Sequence, residues 1–483
     1  MSMKALRVVL LASLFAATPQ LAHADPAGDE ARRQSIMANS RASAAAIDRR
    51  NSDQAFQAGL TRSSSGGGSS GSGSSGSSSG SSSSSGGFGG GGGGGASSGP
   101  QSVVSTRYVR VWVGETLSQS AQRLGKEAAA GNAQSQYLLG RMHYVGYGTS
   151  TNLPEARRLF IAAAAQGHVE ASAFAGKFLV YGHGGPVDTA SGMAYLQTAA
   201  QAGNTDAMSV LGIRQMTTAI ETGNNANMPS AVRYLEQAAD AGNAVAQAAL
   251  GTTIYYFGVG GVAADGAKAV KYLRMGAAQG DPMSMYHLGN LMVNGDEWTG
   301  ENQPEGWSLI SRAAQAGNGR AMWRLAAAKL EGTSGQEKDL PEAVRLMRLS
   351  AEAGESNGQQ GWGQMLYFGL GVAANKPEGL RYTRMAADAF DPQAQYDMAL
   401  ANYFGDVGIP KNQVEAARWA RLSADNGLPR AQLLMGKLLW AGEGLAQNRT
   451  EAVRWMKKAA DQHDETAIND LKDPEAVAIL RTL

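Results

Sequence analysis

Apolar residues recur at helical spacing over residues 115–483, in paired segments that are separated by glycine-rich turns. In every pair the first segment carries a small residue directly after an apolar one. These small residues are Gly140, Gly176, Gly212, Gly251, Gly289, Ala326, Gly363, Ala399 and Gly436, and they lie 36 to 39 residues apart. A period of this length is typical of stacked helical hairpins, in which each hairpin buries its apolar face against its neighbours.

Turn-forming residues divide the repeat in the same register. The glycines that close the units are Gly131, Gly167, Gly203, Gly242, Gly280, Gly317, Gly354 and Gly427. Phe390 and His463 stand in the two slots that depart from this pattern. Gly-x-Gly pairs inside the units, such as Gly146 and Gly148, favour the positive φ angles of a helix end. Prolines such as Pro154 and Pro341 then predict the first turn of the second helix, where a missing N–H costs nothing.

The repeat resembles a known family. The sequences AQLLMG at 431–436 and AQAALG at 246–251 are similar to the consensus of the Sel-1-like repeat family, the tetratricopeptide-related helical hairpins. This resemblance implies an all-α fold, a right-handed α-solenoid of about nine helix-turn-helix repeats over residues 132–463. Residues 115–131 resemble the second helix of a leading half-unit, and residues 465–483 a closing cap. Such repeats imply a scaffold or adaptor rather than a particular chemistry.

Three units depart from the pattern between their two helices. The third unit replaces the Gly-x-Gly turn with Thr217–Asn227, and the fifth and sixth have their own turns at 295–300 and 332–335. Loops vary freely whereas a stacked core does not. We therefore expect unit-specific contacts at these three loops.

The first 24 residues have the pattern of a secretory signal peptide. Lys4 and Arg7 precede the apolar run 8–17, and the segment ends in a small-x-small pattern at Ala24. The apolar run is too short to cross ~30 Å of hydrocarbon, which favours a cleaved signal over the alternative, an uncleaved anchor. We expect a bacterial protein that is periplasmic or secreted, with no transmembrane segment after cleavage.

Two low-complexity segments follow the signal. Residues 25–62 are polar and alanine-rich, and we interpret them as weakly helical or disordered. Residues 63–100 are Ser/Gly-rich, with 35 Ser or Gly among the 37 residues from 63 to 99. Such a composition cannot offset the entropy cost of ordering by burying apolar surface, so it predicts a flexible linker.

Residues 101–114 precede the repeats and alternate in the period of a strand. Val109, Val111 and Val113 alternate with Arg110 and Trp112, which predicts one short strand or an extended arm. The sequence offers this strand no ladder partner, so its hydrogen bonds would go to another chain, to the N-terminal segment or to water. Pairing with another chain would produce self-association.

Composition excludes several classes of function. The chain has no cysteine, which excludes disulfides, thiolate metal sites and a cysteine nucleophile. Its 42 basic and 41 acidic residues argue against nonspecific nucleic-acid binding, which needs a basic surface. Walker, HExxH and EF-hand motifs are absent from the sequence. We therefore predict no catalytic residues, no metal site, no cofactor and no enzymatic activity.

The first helices of the units carry the candidate binding residues. By analogy with tetratricopeptide repeats, two positions one turn apart in each first helix line a concave groove. The candidates are Tyr137, Arg141, Lys177, Tyr286, Asn290, Trp323, Gln364, Tyr396 and Lys437. Aromatics, amides and cations in one row are the composition of interface anchors. The alternative is that the aromatic residues pack between adjacent units.

These patterns together predict an exported protein-interaction scaffold of the bacterial cell envelope. Its groove would hold an extended peptide or a helix of a protein partner. Two alternatives stay open: a peptidoglycan- or polysaccharide-associated factor that uses the same groove for glycan, and a solenoid that assembles copies of itself. Residues 25–62 could also occlude the groove, given the length of the linker.

The signal peptide gives the first testable prediction. The mature protein isolated from its native host should begin at Asp25, because cleavage is expected after Ala24. Intact-mass spectrometry with N-terminal sequencing measures this directly. A mature chain that still begins at Met1 would contradict cleavage and favour the uncleaved anchor.

Overall fold

The structure is a computed structural model. It describes residues 102–106, 109–112, 115–254, 258, 261–295, 298–333 and 335–483. The predicted signal peptide, the segment 25–62 and the linker 63–100 lie outside the described residues.

A β-hairpin precedes the helices. Strand β1 (Ser102–Thr106) pairs antiparallel with β2 (Val109–Trp112), so that Ser105 lies opposite Arg110. The expectation of a single strand without a ladder partner is therefore wrong, because the partner lies within the same short segment. The ladder pairs the inward-facing backbone groups of the two strands with each other.

Twenty-one α-helices follow in the described residues, and the chain divides into two compact units with a boundary at 211/212. The helices that begin before this boundary are α1 Leu117–Ala129, α2 Ala133–Val145, α3 Leu153–Ala164, α4 Val169–Tyr181, α5 Thr189–Gln201 and α6 Thr205–Thr222. Those that begin after it are α7 Met228–Asp240, α8 Ala244–Ala249, α9 Gly266–Ala278, α10 Pro282–Asn294, α11 Gln303–Gln315, α12 Gly319–Glu331, α13 Leu340–Glu352, α14 Ser356–Phe368, α15 Lys376–Asp388, α16 Pro392–Phe404, α17 Gln413–Asp425, α18 Pro429–Ala441, α19 Arg449–Ala460, α20 Glu465–Asp470 and α21 Pro474–Leu480.

These helices form the expected repeat. Nine hairpins run from α2–α3 to α18–α19 in the described residues, with α1 before them and α20–α21 after them. Within each compact unit a first helix packs on its own second helix and on the second helix of the preceding hairpin. The prediction of an all-α solenoid of helical hairpins is confirmed.

The two helices of a hairpin approach closely at the small residue. A Cβ on Gly176 would lie 2.6 Å from Leu196 Cγ and 2.8 Å from the Gly192 carbonyl oxygen. A Cβ on Gly289 would lie 2.6 Å from the Gly306 carbonyl oxygen. Distances this short mean that the absence of a Cβ atom at these glycines is what permits the spacing.

A buried glutamine joins three helices at several units. Gln247 in α8 is fully buried, and its Nε2 donates to the carbonyl oxygen of Ala239 in α7 at 2.8 Å. Its Oε1 accepts a hydrogen bond from Gln279 Nε2, directly after α9, at 2.8 Å. The same arrangement occurs at Gln136, Gln395 and Gln432. It explains why glutamine is accommodated at this buried position, since a buried amide needs partners at both ends.

The turns between units keep one backbone conformation even where glycine is lost. Phe390 and His463 adopt φ angles of 64° and 65°, close to those of the glycines in the other units. A non-glycine residue in this region costs roughly 1–2 kcal/mol. The architecture of the repeat therefore imposes the turn on these two residues.

Two units differ from the regular hairpin. The loop expected at 217–227 is partly helical, because α6 continues to Thr222 before a 3₁₀ turn at Asn225–Asn227. In the next unit α8 continues as a π-helical turn over Leu250–Ile254, where Thr252 donates to the Ala248 carbonyl oxygen at 2.7 Å. These two first helices are the least regular of the series.

The close helix approach gives a prediction on stability. Gly176→Ala should lower the free energy of unfolding by roughly 1–3 kcal/mol, because the new methyl group would overlap Leu196 and the backbone of α5. Gly125→Ala in α1 is the matched control. Nothing lies within 4 Å of a Cβ there, so this substitution should raise stability by roughly 0.5–1 kcal/mol. Urea unfolding of both variants measures the difference, and equal effects would contradict the packing argument.

Candidate functional site

The predicted binding residues fall at two positions of the first helices. Counted from the first residue of each helix, they occupy positions five and nine in α2, α4, α10, α12, α14, α16 and α18. We call these positions the first-helix row.

In α2 and α4 the row is aromatic and cationic. Tyr137 is only 8% exposed, and its ring centroid lies 4.7 Å from that of His168 and 5.9 Å from that of Phe174. Burial raises the pKa of Tyr137. Arg141 Nη1 donates to Tyr137 Oη at 3.2 Å. Tyr137 thus packs between two adjacent hairpins, as the alternative interpretation of the row proposed.

Two cations of the row share one aromatic ring. The Cζ atom of Arg141 lies 5.9 Å from the ring centroid of Phe174, and Lys177 Nζ lies 5.8 Å from it. Each distance is within the range of cation–π attraction. Phe174 therefore brings together the row residues of two successive units.

The aromatic members in the second compact unit are half-buried. Tyr286 and Trp323 pack against the hydrophobic core of their hairpins, and Tyr396 packs against the core that follows. Burial raises the pKa of both tyrosines. These rings contribute to packing and still present part of their surface to solvent.

Asn290 is held by an arginine from the next first helix. Arg324 Nε donates to Asn290 Oδ1 at 3.3 Å, and its Nη2 donates to Asn294 Oδ1 at 3.3 Å. Arg324 occupies position six of α12, one residue after the predicted Trp323. The arginine thus reaches back across the boundary between two hairpins.

Gln364 belongs to a cluster around a carboxylate, which we call the Asp397 cluster: Gln360, Gln364, Gln393 and Asp397. Asp397 Oδ2 accepts from Gln360 Nε2 at 2.9 Å and from Gln364 Nε2 at 3.2 Å. Its Oδ1 accepts from Gln393 Nε2 at 2.9 Å. Asp397 is again position six of its helix, and it bridges positions five and nine of α14.

Position six is the part of the site that sequence reasoning missed. Phe174, Arg324 and Asp397 all occupy it, and each contacts row residues of the preceding first helix. These three side chains differ in chemistry, so no residue-type signal marks the position. Its only signal is the spacing, one residue after position five.

Lys437 stands apart from the other members of the row. It is exposed, and its Nζ lies 3.1 Å from Asp470 Oδ2 in the terminal helix α20. It lines an open pocket of about 510 Å³ together with Trp440, Met456, Asn469, Asp470, Lys472 and Asp473. Among the described residues, Lys437 forms no hydrogen bond or ion pair with a residue of the Asp397 cluster.

Two carboxyl groups with raised pKa values lie at the start of α16, Asp391 directly before the helix and Asp397 at its sixth residue. Asp391 caps the helix by accepting from the Ala394 backbone N–H at 2.8 Å, and it is 8% exposed. Burial, together with the charge of nearby Asp397, raises the pKa of Asp391 to about 6. Burial likewise raises the pKa of Asp397 to about 6, against the lowering effect of its three amide donors.

Potential metal ligands are scattered over the described residues. Within them, no group of three or more His, Asp or Glu side chains is arranged to hold a metal ion. His168, one of the histidines of the first units, caps α4 through Nδ1, which accepts from the Ala171 N–H at 3.3 Å. Among these same residues, no helix has the length and apolar character needed to span a membrane.

A family model of the Sel1 repeat matches most of the described helices. The matched residues are 133–168, 169–204, 206–243, 244–281, 282–318, 319–355, 356–389, 392–428 and 429–464. These nine matches agree with the hairpins seen in the structure.

Several solved structures are similar to the chain. A protective antigen from uropathogenic Escherichia coli with an SLR fold is 24% identical, with 76% of this chain and 78% of that chain covered and a TM-score of 0.49. A Sel1 repeat protein from Oxalobacter formigenes is 23% identical, with 77% and 97% covered and a TM-score of 0.40. No curated protein shows significant similarity to the chain.

The raised pKa values of Asp391 and Asp397 predict a pH dependence of stability. Both bind a proton more tightly in the folded chain, with a pKa of about 6, than an unfolded aspartate does at about 4. Their ionisation therefore destabilises the fold above pH 6, and this cost disappears as the pH falls below 4. Asp391→Asn should keep the helix cap, since Asn132, Asn243 and Asn318 cap other first helices. We expect it to raise the free energy of unfolding at pH 7.5 by roughly 1–3 kcal/mol and to have little effect at pH 4.

Urea unfolding of wild type and variant at the two pH values measures this difference. Asp388→Asn is the control, because Asp388 is an exposed residue of α15 that pairs with Arg384 at 3.7 Å. The control should change stability little at either pH. A gain for Asp391→Asn that is the same at pH 4 and pH 7.5 would show that burial of the charge is not its cause.

Proposed function

The chain belongs to the Sel1 repeat family, whose members are generally protein-interaction scaffolds, and we propose that it is a non-catalytic scaffold of the bacterial cell envelope. Its partner would be a protein that contributes an extended segment or a helix to the first-helix row. The proposal adds a binding face and a location to what membership of the family implies.

The proposal that the first-helix row is the binding face rests on one observation. On α12 and α16 the row presents half-buried aromatic rings beside polar side chains, Trp323 with Arg324 and Tyr396 with Asp397. Large, partly buried aromatics with adjacent hydrogen-bonding groups are typical of residues that contribute most to binding energy. The second helices instead carry local ion pairs, such as Arg348 with Glu352 at 2.7 Å, which serve the helix itself.

The envelope location is supported by the sequence. The charged start, the short apolar run and the Ala24 exit are typical of a secretory signal. A chain without cysteine also suits an oxidising compartment, where thiols would form disulfides.

Site-specific photo-crosslinking tests the binding face. We expect p-benzoylphenylalanine at position 286, 323 or 396 to yield a discrete crosslinked partner in the native host, because this residue replaces one aromatic ring with another on the first-helix row. The matched controls carry it at Arg348 or Arg384, which are exposed on second helices. These controls should yield no such adduct. Mass spectrometry of the adduct identifies the partner and the crosslinked peptide.

The remaining outcomes are equally informative. Adducts from the second-helix positions alone would contradict the proposed binding face. An adduct composed of two copies of the chain would favour self-assembly. Far-UV circular dichroism of each variant shows whether it remains folded, so that a missing adduct can be read as absence of contact.

A further inference from the structure

We propose that the Asp397 cluster is the point at which the scaffold binds a basic side chain, an arginine or a lysine, of its partner segment. This inference rests on the proposed function and deepens it, because it assigns the chemistry of one ligand residue. It follows from an anion that the described chain leaves without a counter-ion.

The carboxylate of Asp397 is held only by neutral groups. Its three hydrogen-bond donors are side-chain amides of Gln360, Gln364 and Gln393. No Lys, Arg or His of the described residues forms an ion pair with it, although the Arg430 charge acts on it from α18. A desolvated carboxylate without a paired cation is energetically unfavourable. A cation supplied by a ligand would relieve that cost.

A second acceptor lies beside the carboxylate. Gln364 is 5% exposed, and its Oε1 accepts no hydrogen bond from any described residue. Its Nε2 already donates a hydrogen bond to Asp397 Oδ2, so the amide group lies beside the carboxylate. A buried carbonyl oxygen without a donor is uncommon in a folded protein. This orphan acceptor is independent of the charge on Asp397.

The ligand chemistry follows from this pair of acceptors. A guanidinium has five N–H donors and an ammonium has three, and neither group accepts hydrogen bonds. Either one can satisfy a carboxylate and an amide oxygen together, and it gains from the charge as well. Gln393 and Asp397 are half-buried, and they lie next to half-buried Tyr396 on the first-helix row. A partner segment on the row would therefore reach the cluster through these residues.

Binding should also depend on pH. Asp397 loses its charge as the pH falls through its pKa of about 6. The other charged groups that act on this region are Arg430 in α18, Asp391 directly before α16 and Glu355 before α14. Asp391 titrates over the same range, so a variant at each aspartate is needed to separate the two.

The test is selection of peptides against the full chain. A phage-displayed library of random 12-residue peptides is panned at pH 7.5 against wild type and against Asp397→Asn. We expect peptides selected on wild type to share an Arg or Lys at one position. Asp397→Asn should weaken binding of the synthetic consensus peptide at least tenfold in calorimetry. Asp388→Asn, an exposed second-helix control, should leave its affinity unchanged.

Three further measurements make the test specific. Replacing the basic peptide residue with citrulline or glutamine should weaken binding to wild type but not to Asp397→Asn. With a peptide that lacks histidine, affinity for wild type and Asp391→Asn should fall from pH 7.5 to pH 5, and affinity for Asp397→Asn should not. Titration with calcium chloride alone should show no binding that depends on Asp397, whereas such binding would identify a metal ion as the ligand instead.

The outcomes separate this inference from the proposed function. Selected peptides without a shared basic residue, or equal affinity for Asp397→Asn, would overturn the inference and leave the scaffold standing. Failure to select any peptide on folded wild type would contradict the peptide-binding face, and the inference would fall with it.

Discussion

The spacing between the two helices of each hairpin is the constraint on which the rest of the structure depends. Gly176 and Gly289 lie so close to the facing backbone that even one methyl group would overlap it. At this separation the buried glutamines, such as Gln247, can reach a carbonyl in the preceding hairpin and an amide in their own. The small residue sets the distance, and the glutamine fixes the register.

This fixed register is what gives the first-helix row its chemistry. At three junctions between successive first helices, α2 with α4, α10 with α12 and α14 with α16, a side chain at position six contacts position five or nine of the helix before it. At α12 this pairing matches an arginine with two asparagines, and at α16 an aspartate with two glutamines. The backbone geometry is shared, and the side-chain chemistry is local to each junction.

Sequence reasoning reached the fold because a repeat presents each signal many times over. The helix end at Gly146 and the proline starts at Pro154 and Pro341 were predicted correctly from local chemistry. Long-range pairing was harder to predict: β1 and β2 pair across two residues that carry no strong turn signal. The contacts of Asp397 were missed because they join residues more than 30 positions apart, which periodicity alone does not connect. The turns at Phe390 and His463 show the repeat overriding local preference.

Position six has a consequence for how such a chain evolves. The number of repeats changes by gain and loss of whole hairpins, yet a pocket such as the Asp397 cluster is completed by a side chain from the hairpin that follows. Inserting a hairpin between α14–α15 and α16–α17 would separate Gln360 and Gln364 from Asp397 and create two new junctions in place of one. The unit of inheritance is thus a hairpin, whereas the unit of recognition is a junction. A change in repeat number should therefore alter binding specificity only at the point of insertion or loss, because each hairpin contacts only its neighbours.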